Sequence, residues 1–310
     1  MSDVPTTNGA IEVDHVSRWY GNVVAVNDVS FSVGPGVTGL LGPNGAGKTT
    51  ILHMAAGLLA PSAGGVLVAG EPIWRHPELY RRVGLVPERE SVYPYLTGRE
   101  FALVNARLQG LPDPGAAAAR AIAAVDLDAA ADRRIGTYSK GMRQRIKMAA
   151  ALVHDPPVLL LDEPFNGMDP RQRLHMFALL RDMAGEGRTI LLSSHILEEV
   201  ERVADSVLVI YAGRLAASGD FRTIRRLMTD RPHAFRVRSS DDRRLGAALL
   251  GEASVFGVEL DGGGLSVRTA DFGRFARRIP VVAREAGISI YELAPTDTSL
   301  ESVFAYLVER

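Results

Sequence analysis

Near-continuous apolar runs recur along the chain at Val158-Leu159-Leu160-Leu161, Thr189-Ile190-Leu191-Leu192 and Val207-Leu208-Val209-Ile210. Such runs predict strands buried on both faces, and the helical segments between them predict βα alternation with both sides of a parallel sheet covered. Further strands are expected at Val37-Thr38-Gly39-Leu40-Leu41, Val66-Leu67-Val68 and Val83-Gly84-Leu85-Val86. Upstream, Ile11 to Val33 alternates short β-like runs, Ile11-Glu12-Val13 and Val29-Ser30-Phe31-Ser32-Val33, with polar turns. Thr50 to Ala56 reads as a helix, closed by Pro61 and Gly64-Gly65. From about Thr97 to Ala151 the pattern turns helical and alanine-rich, with Ile122, Val125 and Leu127 supplying apolar contacts, so a helical insertion is expected there.

Near Asp230-Arg231-Pro232 the character changes. A strand at Ala234–Arg238, a helix from Asp241 to Leu250 and two β runs around Asp261-Gly262-Gly263-Gly264 are expected. A helix over Phe272–Ala286, a strand at Ile288–Tyr291 and a final helix from Ser299 complete the reading. The chain thus divides into an α/β domain, residues 11–230, and a small α+β domain, residues 231–310, with no internal repeat.

Composition narrows the functional classes. Hydrophobic residues at 46% and charged residues at 23% of 310 are those of an ordinary globular protein. A net charge of −1 gives no electrostatic reason to expect a nucleic-acid partner. Zero cysteines exclude disulfides, thiolate catalysis and thiolate metal sites. Met1 to Arg18 has neither a basic n-region nor an apolar h-region, so no secretory signal is expected. No run of about 18 uncharged apolar residues occurs, so any membrane-spanning helices of an assembly must come from another chain.

The chemistry begins at Gly42-Pro43-Asn44-Gly45-Ala46-Gly47-Lys48-Thr49-Thr50, a Gly-x4-Gly-Lys-Thr run between a strand and a helix. Glycines let backbone N–H groups turn inward onto a phosphate, and the helix adds its positive end. Lys48 is expected to reach the β- and γ-phosphates and Thr49 to ligate Mg²⁺. The chain has three lysines only, Lys48, Lys140 and Lys147, and one falls where this loop needs an ammonium. A second element, Val158 to Pro164, is an apolar strand ending in Asp162, the Walker B arrangement that places a carboxylate on Mg²⁺. Glu163, one residue on, is placed to polarise a water for in-line attack on a γ-phosphate. A third is Tyr138-Ser139-Lys140-Gly141-Met142, where Ser139 caps a helix and creates another anion-binding end. Folded away from the first phosphate by the helical insertion, that end would close on a nucleotide held by another copy.

With Asp169 and His195 following in order, the chain resembles the ATP-binding subunit of an ABC transporter over roughly residues 11–230. The resemblance implies a P-loop NTPase cassette: a mostly parallel sheet core, an antiparallel β subdomain and a helical subdomain at about 97–151, with residues 231–310 as an accessory domain. It implies that Tyr20 stacks on adenine, that Asp169 in Asn166-Gly167-Met168-Asp169-Pro170 bridges two subunits, and that His195 contacts the γ-phosphate. It implies ATP and Mg²⁺ as ligands, a second cassette as homodimer or heterodimer partner, and an integral membrane permease at the cytoplasmic face of the cell membrane. Tyr93, Tyr95 and Leu96 lie where relatives receive the permease. Two positions depart from the common pattern. Glu88 stands where glutamine is usual, keeping an oxygen for Mg²⁺ or water but adding charge beside Asp162 and Glu163. Lys140 and Met142 replace the usual Gly and Gln. Together with Val86-Pro87-Glu88 and Thr298–Phe304, these residues resemble the exporter branch. A soluble relative acting on ribosomes or nucleic acid is the alternative, disfavoured by one cassette in the chain and no coiled coil between Lys48 and Asp162. A regulator that binds nucleotide without hydrolysis is a third, set against Glu163 and His195. Glu198, Glu199, Glu201 and Arg202, and also Arg143, Arg145 and Lys147, are expected on solvated helix faces.

Overall fold

The computed structural model describes residues 10–220, 233–260 and 262–296. It divides the chain into two compact units, residues 1–218 and 219–310. The boundary expected at residues 230–231 and the helix expected from Ser299 both lie outside the described residues.

The first unit holds two sheets. One is antiparallel, built from β1 (Ile11–Tyr20), β2 (Val23–Val33), β4 (Ala63–Val68) and β5 (Glu71–Pro72) in the order β2-β1-β4-β5. Its first two strands run longer than their hydrophobic pattern predicts. Polar Asp14 and His15 interrupt the alternation of β1, and the register with β2 shifts there, with His15 at φ 47°. A bulge absorbs the extra residues and the strand continues, which period-two reading cannot anticipate.

The other sheet has six strands: β3 (Gly36–Leu41), β6 (Val83–Val86), β7 (Val158–Asp162), β8 (Thr189–Ser194), β9 (Ser206–Tyr211) and β10 (Arg214–Gly219). Their order is β10-β9-β3-β8-β7-β6, and β9, β3, β8, β7 and β6 pair in parallel. Every residue of β7 and β8 is buried, as their unbroken apolar runs require. Register then fixes where the strands stop: Leu41 pairs with Ser194, Ser193 with Asp162, and Leu161 with Val86. Four carboxyl ends therefore meet along one edge, the edge at which open α/β sheets bind ligands.

Helix α1 (Lys48–Ala55) follows β3 and α2 (Pro77–Tyr80) precedes β6. The helical insertion contains α3 (Gly98–Leu108), α4 (Pro114–Ala124) and α5 (Lys140–Leu152). Thr97 and Glu100 form a reciprocal capping box on α3, with bonds of 3.1 and 2.8 Å. Asp113 caps α4 ahead of Pro114, and Ser139 caps α5 by accepting from Met142 N at 3.2 Å. Beyond β7 come α6 (Pro170–Gly185), capped by Asp169 and Gln172, and α7 (Leu197–Val203).

The second unit runs β11 (His233–Ser239), α8 (Asp242–Leu249), β12 (Val255–Leu260), β13 (Leu265–Thr269), α9 (Phe272–Glu285) and β14 (Ile290–Pro295). Its sheet order β12-β13-β11-β14, antiparallel throughout, is that of a βαββαβ fold. One face of each central strand, Phe235 and Val237 with Leu265 and Val267, packs against Leu245, Phe275 and Ile279 of the helices. The last strand starts two residues later than Ile288, because Ile288 is buried and its N–H donates to Ala283 O at 2.8 Å, closing α9.

Leu160 is fully buried at the centre of β7. Leu160→Ala is expected to cost about 2–5 kcal/mol, seen as a lower urea midpoint, because a core strand relaxes little around the cavity it leaves.

Candidate active site

The loop after β3 owes its shape to steric exclusion. Gly47 has φ +107°, and a Cβ there would stand 2.6 Å from Ala25 O, so no other residue fits. The turn brings Lys48 to the start of α1, from where its side chain folds back over the loop. Its ammonium donates to Gly42 O at 2.7 Å and Pro43 O at 3.1 Å. Only 7% of Lys48 is exposed. Burial lowers its pKa, while the nearby charges of Glu163, Asp162 and Glu88 act to keep it protonated.

Asp162, at the end of β7, is gripped on both oxygens. Thr49 Oγ1 donates to Oδ2 at 2.7 Å, and Ser193 Oγ, from β8, donates to Oδ1 at 2.5 Å. The same Ser193 hydroxyl accepts from Glu163 N at 3.1 Å. Glu163 has φ +50°, a left-handed conformation unusual for glutamate that directs the chain sharply after the strand. Its Oε2 lies 2.9 Å from His195 Nδ1, and its carbonyl accepts from Gln144 Nε2 at 3.3 Å. Burial raises the Glu163 pKa, and the hydrogen bond from His195 and the charge of Lys48 oppose the rise. A carboxyl shifted toward neutrality in this way suits proton transfer from water.

These groups surround an open cavity of about 490 Å³, lined by the loop together with Glu88, Asp162 and Glu163. The structure therefore gathers Lys48, Thr49, Thr50, Glu88, Asp162 and Glu163 around one space, alongside Asn44, Gly45 and Gly47, with His195 bonded at its margin. Ser139, Lys140, Gly141 and Asp169 form a second cluster outside that lining. A Cβ on Gly141 would stand 2.9 Å from Gly167 O, and one on Gly167 would meet the Lys140 side chain at 2.5 Å, so the segment before α5 packs tightly on the turn leading to Asp169. Tyr20 is 46% exposed at the end of β1, with the Arg18 guanidinium 4.8 Å from its ring centre, and is not part of the cavity lining.

Several contributors were not visible in the pattern. Ser193 reads as the tail of an apolar strand, yet it links Asp162 to Glu163. Glu199, expected on a solvated face, is buried beside Val200 and Val203. It accepts from Ser194 Oγ at 2.9 Å and pairs with Arg173 at 3.1 Å, and Arg173 Nε also donates to Met168 O at 3.2 Å. Arg145 and Lys147 are likewise buried rather than solvated. Arg145 donates to Val125 O at 3.1 Å and Asp126 O at 2.6 Å. Burial pushes the Lys147 ammonium down to about 8. The available signal was position: each lies one residue from, or one turn along from, the apolar stripe of its helix.

Fold and site together define a P-loop nucleotide-hydrolysing cassette. The ABC transporter family model matches residues 26–166. Nod factor export ATP-binding protein I of Paraburkholderia xenovorans (strain LB400) is 44% identical over 217 residues, which cover 68% of this chain and 70% of that protein. A solved ATP-binding subunit of an ABC transporter superposes with a TM-score of 0.64 at 32% identity, covering 70% of this chain and 92% of that one. A dimeric bacterial ABC transporter cassette shares the fold, with a TM-score of 0.64 at 20% identity over 68% of this chain and 98% of that one. The chain belongs to the ABC transporter family, as an ATP-binding subunit with ATPase activity.

Arg173→Met is expected to destabilise the protein by about 1–3 kcal/mol near neutral pH, because it strips a cation from a buried carboxylate. Burial raises the Glu199 pKa. A raised carboxyl loses its penalty once protonated, so the deficit should shrink as pH falls through the raised value toward the ordinary one. Thermal melts of both proteins at about pH 5 and about pH 8 measure the difference.

Proposed function

We propose that this chain is the motor of a membrane exporter, hydrolysing MgATP between two cassettes at the cytoplasmic face of the membrane. The observation that carries the proposal is the separation of two clusters. Lys48, Thr49, Asp162 and Glu163 converge on one cavity, with His195 bonded to Glu163 at its margin, while Ser139–Gly141 and Asp169 form a packed block outside it. A nucleotide held in the cavity would then be completed by the block of a second copy, arranged head to tail about a two-fold axis. The oxygen-only donors Thr49 Oγ1, Asp162 and Glu88 fit Mg²⁺, a hard ion that takes one or two carboxylates beside substrate phosphates. Bound there, the ion would neutralise charge on the β- and γ-phosphates. Lys48 adds fixed positive charge, Glu163 accepts the proton of the attacking water, and His195 holds the Glu163 carboxylate through their 2.9 Å contact. Tyr20, at an exposed strand end, would offer its ring to the base.

No helix among the described residues is long and apolar enough to cross a membrane. The permease would dock in the groove of about 460 Å³ between the β6 loop and α3, where Tyr93 is 53% and Leu108 79% exposed. Relatives named for Nod factor export support export as the direction of transport. The cargo itself would be set by the permease.

Lys48→Ala is expected to lower ATP turnover by at least about 100-fold in a phosphate-release assay, since a preorganised cation near the developing charge is removed. Glu163→Gln should still bind ATP and accumulate as an ATP-stabilised dimer on size exclusion; a monomeric, fully active variant would refute both the base and the sandwich. Glu88→Gln should retain measurable activity in the same assay.

A further inference from the structure

The loop after β6 carries Glu88 into the nucleotide cavity, and one helix holds it there. Arg143 and Lys147 stand four residues apart on α5, one turn along the same face. Lys147 is 5% exposed, and its ammonium donates to three successive backbone oxygens: Pro87 O at 2.7 Å, Glu88 O at 3.3 Å and Arg89 O at 3.3 Å. Arg143 Nε donates to Glu90 Oε1 at 3.0 Å, and its NH1 group donates to Tyr138 O, just ahead of the same helix. Residues 87 to 90 are thus fastened, one after another, to α5.

Residue type supports a dedicated role. Three carbonyls converging on a point need three donors spread about a single atom, which an ammonium supplies and a planar guanidinium does not. Lysine is otherwise scarce, three among 35 lysines and arginines. Glu88 also needs fastening, because it stands with Asp162 and Glu163 around one cavity and like charges would drive a loose loop outward. Glu90, Asp162 and Glu88 in turn favour the charged form of Lys147 against its burial.

We propose that Lys147 is a positioning residue for ATP hydrolysis: by clamping the backbone of residues 87–89 it fixes the Glu88 carboxylate in the cavity and ties it to the helix that Ser139 caps. The consequence for turnover rests on the ATPase reading, whereas the clamp stands on geometry alone. Limited trypsin digestion of the nucleotide-free full chain, read by mass spectrometry, reports cleavage after Arg89. Lys147→Met is expected to speed that cut at least about tenfold relative to cuts elsewhere, since cleavage follows local opening. Lys147→Arg keeps the charge but not the donor geometry, and is expected to fall between the two; it decides the matter if Lys147→Met does not fold. In ATPase assays Lys147→Met should lower kcat about tenfold or more with KM for ATP within about threefold, and should add little when placed in Glu88→Gln, because the two act as a unit. An unchanged cut after Arg89, or Lys147→Arg behaving as the unaltered chain in both assays, overturns the clamp. Fully multiplying losses in the double variant overturn the route through Glu88. A uniform rise in cleavage with a lowered melting temperature would leave Lys147 as a packing residue only. Should the unaltered chain hydrolyse no ATP, the digestion result still stands, so the two failures are told apart.

Discussion

The carboxylate of Asp162 accepts the Thr49 hydroxyl on one oxygen and the Ser193 hydroxyl on the other. Through those two bonds, the helix after β3 and the end of β8 are both tied to the last residue of β7. The bonds form only because parallel register stops the strands at matching heights, with Ser193 opposite Asp162 and Ser194 opposite Leu41. Shifting one strand by a residue would turn the acid toward the other face of the sheet. The apolar runs that bury β7 and β8 are therefore also what hold the reactive edge in register, so packing and chemistry share one cause.

Charge is the second constraint. Three acids, Glu88, Asp162 and Glu163, line one cavity, and two buried lysines answer them. Lys48 comes from the phosphate loop and Lys147 from the helical insertion, so the balance draws on segments far apart in sequence. Both ammoniums are satisfied by backbone carbonyls of loops rather than by direct ion pairs. Cations held this way shape loops while lending their charge to the cavity. The raised pKa of Glu163 and the lowered pKa of Lys48 are two sides of the same partial desolvation.

Much of this arrangement is legible in the amino-acid sequence alone. Unbroken apolar runs gave the parallel strands, and the Gly42–Thr50 spacing gave the loop, because steric and hydrogen-bonding demands leave few sequences able to do either job. Ser139 was visible as a helix cap for the same reason, whereas the capping of α6 by Asp169 emerged only with the structure. The continuous length of β1 was not, since a bulge at Asp14 and His15 breaks periodicity without ending the strand. Nor were the buried roles of Lys147, Glu199 and Arg145, because a charged residue beside an apolar stripe reads as solvated until its carbonyl or ion-pair partners, brought in by other elements, are seen. Ser193 needed the pairing of β7 with β8 before its hydroxyl had any meaning.

The scarcity of lysine reaches beyond catalysis. Of the three ε-amines in the chain, Lys48 and Lys147 are enclosed, and Lys140 is exposed beside the Ser139 cap. Amine-directed chemistry is thereby funnelled onto the segment that packs against Gly167, making it the natural attachment point on side chains for a fluorophore or crosslinker. The handle needs no cysteine engineering, and it arises from arginine having taken the other 32 of the 35 lysine and arginine positions.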